Sequence, residues 1–146
     1  MIASVKTLAT IAAVSTGGRN GHSETTDKLV SVDLSVPKAL GGPGKPNIPT
    51  PEHLFAAGYA ACFGGSLDFV AKSHKKDATK ATTTCTVGIG PREGGGLGLV
   101  VDLKIEDPSL PQAELEAFVR EAHETICAYS HATRGNIAVN FTVVGA

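Results

Sequence analysis

The chemistry open to this chain begins with sulfur. Of its three cysteines, Cys62 lies in the small, apolar stretch Leu54-Phe-Ala-Ala-Gly-Tyr-Ala-Ala-Cys-Phe-Gly-Gly65, and Cys127 lies near the end of a second helical stretch. The thiolate is the reactive form, and a cysteine with the ordinary pKa of about 8.5 is only a few per cent thiolate at neutral pH. An apolar helix raises that pKa further. Cys62 sits some ten residues inside its predicted helix, where the N-terminal dipole has faded, so a cation is required or the thiol is inert. Arg19 is the candidate, presented by the glycine loop Thr16-Gly-Gly-Arg-Asn-Gly21, because its guanidinium never deprotonates and donates several hydrogen bonds. Glu52, at the helix start, would orient Arg19 through a bidentate pair. The plainer reading of each residue stands beside this: a cysteine that fills space, a solvated loop charge, and a carboxylate that complements the helix dipole.

Geometry restricts the trio. Ten residues of continuous helix rise about 15 Å, too far for Glu52 and Cys62 to meet one small group. The first turn is kinked away, or Arg19 bridges with an extended side chain, or Cys62 meets Arg19 and Glu52 of a second subunit across a two-fold interface. The homodimer is the favoured arrangement. Cys127 supplies a second thiol, and two cysteines in a reducing compartment suit a cycle in which one is oxidised and the other resolves it as a disulfide, with no metal or other cofactor. The competing constellation is a metal- or ligand-binding module of Cys62, Cys127 and His123, with His131 as a further ligand, since His123 and Cys127 are four residues apart on one helix face. No CxxC or HExxH spacing supports it, and no local signature ties a histidine to Cys62 for a Cys-His hydrolase. Cys85 occupies an inward position of an alternating strand and reads as packing.

The elements that must hold these residues follow from periodicity. Val30, Val32, Leu34 and Val36 alternate with polar residues as a strand, and an apolar segment from about Val5 to Val14 would pair with it. Residues 37–49 hold four prolines and three glycines and read as an irregular cover. Thr50 as N-cap, Pro51 at the first helical position and Glu52 in the first turn start a helix that runs to about Ser73. Its apolar character all round implies burial on every side. Thr83, Cys85, Val87 and Ile89 share one strand face, and Leu99, Val101, Leu103 and Ile105 share another, joined by Pro91-Arg-Glu-Gly-Gly-Gly96 as a hairpin. Ser109 and Gln112 form a capping-box signature before a helix from about Pro111 to Ala128 with the apolar stripe Leu115, Phe118, Val119, Ala122 and Ile126. Ile137, Val139, Phe141 and Val143 mark a last strand. The order β-β-α-β-β-α-β predicts an α+β fold in which antiparallel sheets wrap two long helices.

Composition bounds the function. A chain of 146 residues with 42% hydrophobic and 18% charged residues is expected to fold as one soluble domain, residues 1–146. Thirteen basic and fourteen acidic residues leave a net charge of −1 without a basic run, so neither nucleic acid nor an anionic membrane is an expected partner. No stretch reads as a bilayer span. The segment Met1 to Val14 resembles a signal peptide only loosely, and a cytoplasmic location is expected.

Pro51-Glu-His-Leu-Phe-Ala-Ala-Gly-Tyr-Ala-Ala-Cys-Phe63 resembles the organic hydroperoxide resistance proteins, the Ohr branch of the Ohr/OsmC family. Gly17-Gly-Arg-Asn-Gly21 is similar to the family's arginine loop, Leu40-Gly-Gly-Pro-Gly44 to its connecting loop, and Tyr129-Ser-His-Ala-Thr-Arg-Gly-Asn136 to the segment after its second cysteine. The resemblance implies a thiol-dependent peroxidase that reduces organic hydroperoxides to alcohols as an intertwined homodimer. It makes Cys62 the peroxidatic cysteine, Arg19 and Glu52 its activators, Cys127 the resolving cysteine, and a dithiol such as a dihydrolipoyl group on a protein the reductant. Phe55, Tyr59 and Phe63, near Cys62 in sequence, would line a pocket suited to a fatty or aromatic hydroperoxide. The family usually has proline after the resolving cysteine where this chain has Ala128. Without it the helix is free to run on and to change how readily Cys127 reaches Cys62.

Overall fold

Why three strands precede the first helix is a matter of one turn. The computed structural model describes residues 1–146, and the chain divides into two compact units, residues 1–51 and 52–146. In the first unit β1 (Ala13–Thr16), β2 (His22–Thr25) and β3 (Ser31–Asp33) form an antiparallel sheet in that order. Residues 1–12 carry no helix or strand and expose Ile2, Val5, Leu8 and Ile11. The expected pairing of the first apolar segment with the strand around Val32 is thus replaced by two pairings through β2. Sequence periodicity misses β2 because His-Ser-Glu-Thr has no apolar alternation. The turn that returns it is built by Asp27, whose carboxylate accepts from the Thr25 hydroxyl and the Leu29 N–H, an Asx-type closure. Residues 37–49 are irregular apart from a short 3-10 turn, Lys38–Leu40.

The second unit is built on α1 (Pro51–Ser73). This helix is long and apolar enough to cross a bilayer by length and composition alone, which corrects the reading that no stretch is. Its alanines and large apolar residues raise the mean hydropathy, but one stripe, Tyr59, Phe63, Leu67, Val70 and Ala71, is buried in the core. The opposite face is not: Leu54, Ala57, Ala61, Gly65 and Phe69 are exposed, Phe69 to 60%. Burial on every side is therefore not met within one chain.

β4 (Thr82–Pro91) and β5 (Leu97–Glu106) form the expected hairpin, with Cys85 opposite Leu103, Val87 opposite Val101 and Ile89 opposite Leu99. Val101, Leu103 and Ile105 bury their face against α1 and against Leu115, Phe118 and Val119 of α2 (Gln112–Glu121). β6 (Val139–Val144) joins β5 in parallel, so this sheet is mixed and not antiparallel throughout. A parallel partner needs a crossover, and the helical segment between β5 and β6 supplies it.

In that segment the second predicted helix is helical over residues 112–126 but changes form before its expected end. α2 gives way to a π-turn at Ala122–Ile126, Cys127 is extended (φ −69°, ψ 118°), and α3 (Ala128–Thr133) begins anew. The Cys127 N–H reaches back five residues to the Ala122 carbonyl at 2.8 Å. The His123 carbonyl accepts instead from the Arg134 guanidinium at 2.8 Å. The helix breaks at Cys127 without a proline, contrary to the expectation that Ala128 lets it run on. The capping box is also absent. Ser109 turns its N–H and hydroxyl to Asp107, while Gln112 donates to the Val143 carbonyl and accepts from the Gly145 N–H, fastening α2 to the C-terminal strand. The architecture is α+β, in the order β-β-β-α-β-β-α-α-β.

Candidate active site

Cys62 projects from the middle of α1 and Cys127 from the break between α2 and α3, and their sulfurs stand 3.6 Å apart as free thiols. The two positions meet because α3 packs on α1 at Gly58. A Cβ at that position would come within 3.2 Å of the Tyr129 ring, so glycine lets the ring lie directly on the α1 backbone. Tyr59, 0% exposed, ties the two helices further, its hydroxyl 3.0 Å from both the Ser130 and the Thr133 hydroxyls.

Breaking the helix at Cys127 creates a new helix start beside the sulfurs. The first N–H groups of a helix have no intrahelical acceptor, and here the thiols use them. Cys127 is the N-cap of α3, its sulfur accepting from the Ser130 N–H at 3.4 Å. The N–H groups of Tyr129 and Ala128 act on Cys62. A sequence argument that looks only at the helix carrying Cys62 finds no positive potential there; a different helix supplies it.

The two thiols are nevertheless unequal. Burial pushes the Cys62 thiol up, the α3 N–H groups partly offset this, and the neighbouring Cys127 adds to the rise, so Cys62 ends above its ordinary value. Burial also pushes Cys127 up, but the Ser130 N–H and hydroxyl, the Cys62 thiol and the Tyr129 N–H together outweigh it and bring Cys127 below its ordinary value. The two thiols are thus pushed in opposite directions, and their sulfurs are close enough to share a proton. Access runs the other way: Cys62 is half-buried, whereas Cys127 is 1% exposed. Cys85 is packed against the core from β4, and burial raises its pKa.

The other predicted residues are placed as follows. Arg19 lies in a 3-10 turn, Gly18–Asn20, between β1 and β2. That loop is fixed by the Asn20 side chain, which accepts from the Val36 N–H at 2.8 Å, and by Gly21, where a Cβ would fall 1.8 Å from the Thr16 carbonyl oxygen. Glu52 is in the first turn of α1. Since α1 runs unbroken from Pro51 to Ser73, the kinked-turn arrangement is excluded and the rise of about 15 Å to Cys62 stands. Phe55 is half-buried and meets Tyr59 edge-on at 6.0 Å. Phe63, like Tyr59, has 0% exposure and packs on Phe141.

Cys62, Cys127 and His123 do not form a ligand set, for no group of three or more His, Cys, Asp or Glu side chains converges in a way that would hold a metal ion. His123 packs edge-on against Phe141 at 4.8 Å; burial and the nearby Arg134 charge lower its pKa. The residues that sequence reading missed are Ser130 and Thr133. The available signal was the spacing Cys127-x-x-Ser130, an N-cap followed by its N3 position, which is invisible while the helix is assumed to be continuous.

A profile of the OsmC-like protein family matches residues 42–142. The chain is 46% identical over 139 residues to an organic hydroperoxide resistance protein of Xanthomonas axonopodis pv. citri, covering 94% of this chain and 96% of that one. Among solved structures, an organic hydroperoxide resistance protein of Elizabethkingia anophelis superposes with a TM-score of 0.89 at 44% identity, covering 97% of this chain and all of that one. One from Legionella pneumophila superposes at 0.88 and 44%, covering 95% and 99%. The chain belongs to the OsmC-like family, and within it to the organic hydroperoxide resistance branch.

Proposed function

We propose that this protein is a thiol peroxidase that reduces organic hydroperoxides to alcohols. The observation that carries the proposal is the pair of free thiols 3.6 Å apart, one accessible and one buried, in a chain whose relatives are named for organic hydroperoxide resistance. Accessibility supports these roles: a peroxide reaches half-buried Cys62 more readily than buried Cys127. The singly deprotonated pair shares one proton, which passes across the sulfur contact to leave Cys62 as thiolate. Cys62 attacks the distal peroxide oxygen, the S–O bond forms and the O–O bond breaks, and the alkoxide takes the proton from Cys127 and leaves as the alcohol. The Cys127 thiolate then displaces hydroxide from the Cys62 sulfenic acid, forming the S–S bond. A dithiol, of the dihydrolipoyl class, restores both thiols by exchange.

In this proposal the Arg19 guanidinium stabilises negative charge on Cys62 and on the departing alkoxide, and Glu52 orients Arg19. Phe55 offers surface to an apolar peroxide, with Tyr59 and Phe63 supporting it from the core. The protein acts as a homodimer: the exposed apolar stripe of α1 and the exposed apolar residues 1–12 are surfaces of the kind a partner covers. A reducing compartment, the cytoplasm, suits the cycle.

Turnover of cumene hydroperoxide with dihydrolipoamide tests the proposal. The native chain is expected to turn over, and Cys62→Ser and Arg19→Ala to lose most activity; full activity in Cys62→Ser would end the proposal.

A further inference from the structure

Three hydroxyl groups stand in a row between α1 and the helix that Cys127 caps. Thr133 Oγ1 is 3.0 Å from the Tyr59 hydroxyl, which is 3.0 Å from Ser130 Oγ. Ser130 is the residue whose N–H meets the sulfur at 3.4 Å. Tyr59 and Ser130 are 0% exposed and Thr133 5% exposed, so solvent has little or no part in the row.

Each hydroxyl has one proton to donate, and this limits the row to two consistent arrangements. In one, Thr133 donates to Tyr59, Tyr59 to Ser130, and the Ser130 hydroxyl is free to donate to sulfur. In the other, Ser130 donates to Tyr59, Tyr59 to Thr133, and Thr133 to the backbone carbonyl of Tyr129, 3.0 Å away. A thiolate selects the first arrangement, because it accepts a proton strongly. A disulfide sulfur accepts weakly and releases the row to the second. Cys62, 3.6 Å from Cys127, and the Tyr59 phenol, reached through Ser130, are the titratable groups that α1 sets toward this sulfur.

We propose that Ser130 is a positioning residue for Cys127: its N–H and its hydroxyl, backed by Tyr59 and Thr133, hold that sulfur as the thiolate that closes the disulfide. The proposal rests on Cys127 being the resolving thiol. The step it serves is the attack of the Cys127 thiolate on the Cys62 sulfenic sulfur, in which the S–S bond forms, the S–O bond breaks and hydroxide leaves.

A hydrogen bond that stabilises a thiolate makes it more abundant but less nucleophilic. With a Brønsted coefficient of about 0.4–0.5, each tenfold loss of thiolate brings roughly a threefold gain in intrinsic reactivity. Ser130→Ala, which keeps the N–H and removes the hydroxyl, is therefore expected to close the disulfide about threefold more slowly at low pH for each tenfold loss of thiolate. At high pH, where both forms are fully ionised, it closes about threefold faster. The two pH–rate curves cross.

The reduced Cys85→Ser chain is mixed with one equivalent of cumene hydroperoxide at a series of pH values. Sulfenic acid, trapped with dimedone, and disulfide are then followed by mass spectrometry. Ser130→Ala is expected still to form the sulfenic acid, and to cross the parent in the closure step, read as the conversion of sulfenic acid to disulfide. Tyr59→Phe, which keeps the ring, is expected to show the same crossing with a smaller displacement, and carries the test if Ser130→Ala does not fold. Curves that stay parallel at every pH, whether lowered or unchanged, would overturn the proposal. If the parent forms no sulfenic acid, the peroxidase reading falls, and ultraviolet titration of thiolate absorbance decides the hydrogen-bond claim alone. The first ionisation should move to higher pH in Ser130→Ala; an unmoved titration would overturn it.

Discussion

Oxidation should make this protein markedly harder to unfold. A Cys62–Cys127 bond would close a loop with a sequence separation of 65, and loop-closure entropy for that length corresponds to about 4 kcal/mol at 25 °C. The sulfurs begin 3.6 Å apart and must come to about 2.05 Å, an approach of roughly 1.5 Å. α1 cannot supply it, because Cys62 lies mid-helix and its neighbours Tyr59 and Phe63 are wholly buried. The π-turn at Ala122–Ile126 and the extended Cys127 can, since that backbone is already free of the α-helical ladder. Some strain will reduce the gain, leaving about 2–4 kcal/mol. At about 2–4 °C per kcal/mol for a chain of this size, the midpoint of thermal unfolding should rise by roughly 5–15 °C. Scanning calorimetry of reduced and peroxide-treated protein reads this directly, with Cys127→Ser showing no gain on the same treatment. If mass spectrometry finds the disulfide complete while the midpoint stays put or falls, the site is not poised to close, and the argument from the helix break is wrong.

Replacing Leu67 by alanine should cost about 2–5 kcal/mol in denaturant unfolding, because that side chain is wholly buried in the core stripe of α1; a loss below about 1 kcal/mol would mean the stripe repacks. Gly21→Ala should abolish most peroxidase turnover, since the Cβ meets the Thr16 carbonyl oxygen at 1.8 Å and must displace the arginine loop; unchanged turnover would dissociate that loop from catalysis. His22 gains the Asp33 carboxylate at 2.8 Å, a hydrogen bond that raises its pKa despite an opposing desolvation and with smaller help from Glu24. Its contribution to stability is accordingly full below the unfolded value of about 6.5 and is lost as pH rises through the higher folded value. NMR titration of His22, compared with Asp33→Asn, checks the shift, and an equal midpoint in both would refute it.

Gly58→Ala sets two effects against each other. Alanine favours the helix by about 1 kcal/mol, while the new Cβ meets Tyr129 at 3.2 Å. Tyr129 is 43% exposed and can yield, so a net gain of up to about 1 kcal/mol in chemical unfolding is expected; a loss beyond that amount would show that α3 itself is displaced.

Much of this architecture was legible without coordinates, because the patterns concerned are local. Alternation placed Cys85 inward on β4 and showed β4 and β5 as a hairpin, and Thr50-Pro51-Glu52 marked the start of α1. Three features were not legible. β2 has no apolar alternation and exists because Asp27 turns the chain back. The direction of β6 depends on how its crossover packs. The break at Cys127 falls just past the apolar stripe, which ends at Ile126, and Arg134 takes up the His123 carbonyl beside it.

The sequence by itself determined the chemistry: sulfur nucleophiles of given type and spacing, a guanidinium in a glycine loop, and the family signature around them. Only the tertiary structure decided how unequal the two sulfurs are. Accessibility is a property of packing, and the downward push on Cys127 depends on the N–H groups and the Ser130 hydroxyl of a helix that begins at that residue and on the Cys62 thiol brought from α1. The burial of Cys127 and the meeting of the two sulfurs join residues 65 apart in the chain, which no local pattern encodes.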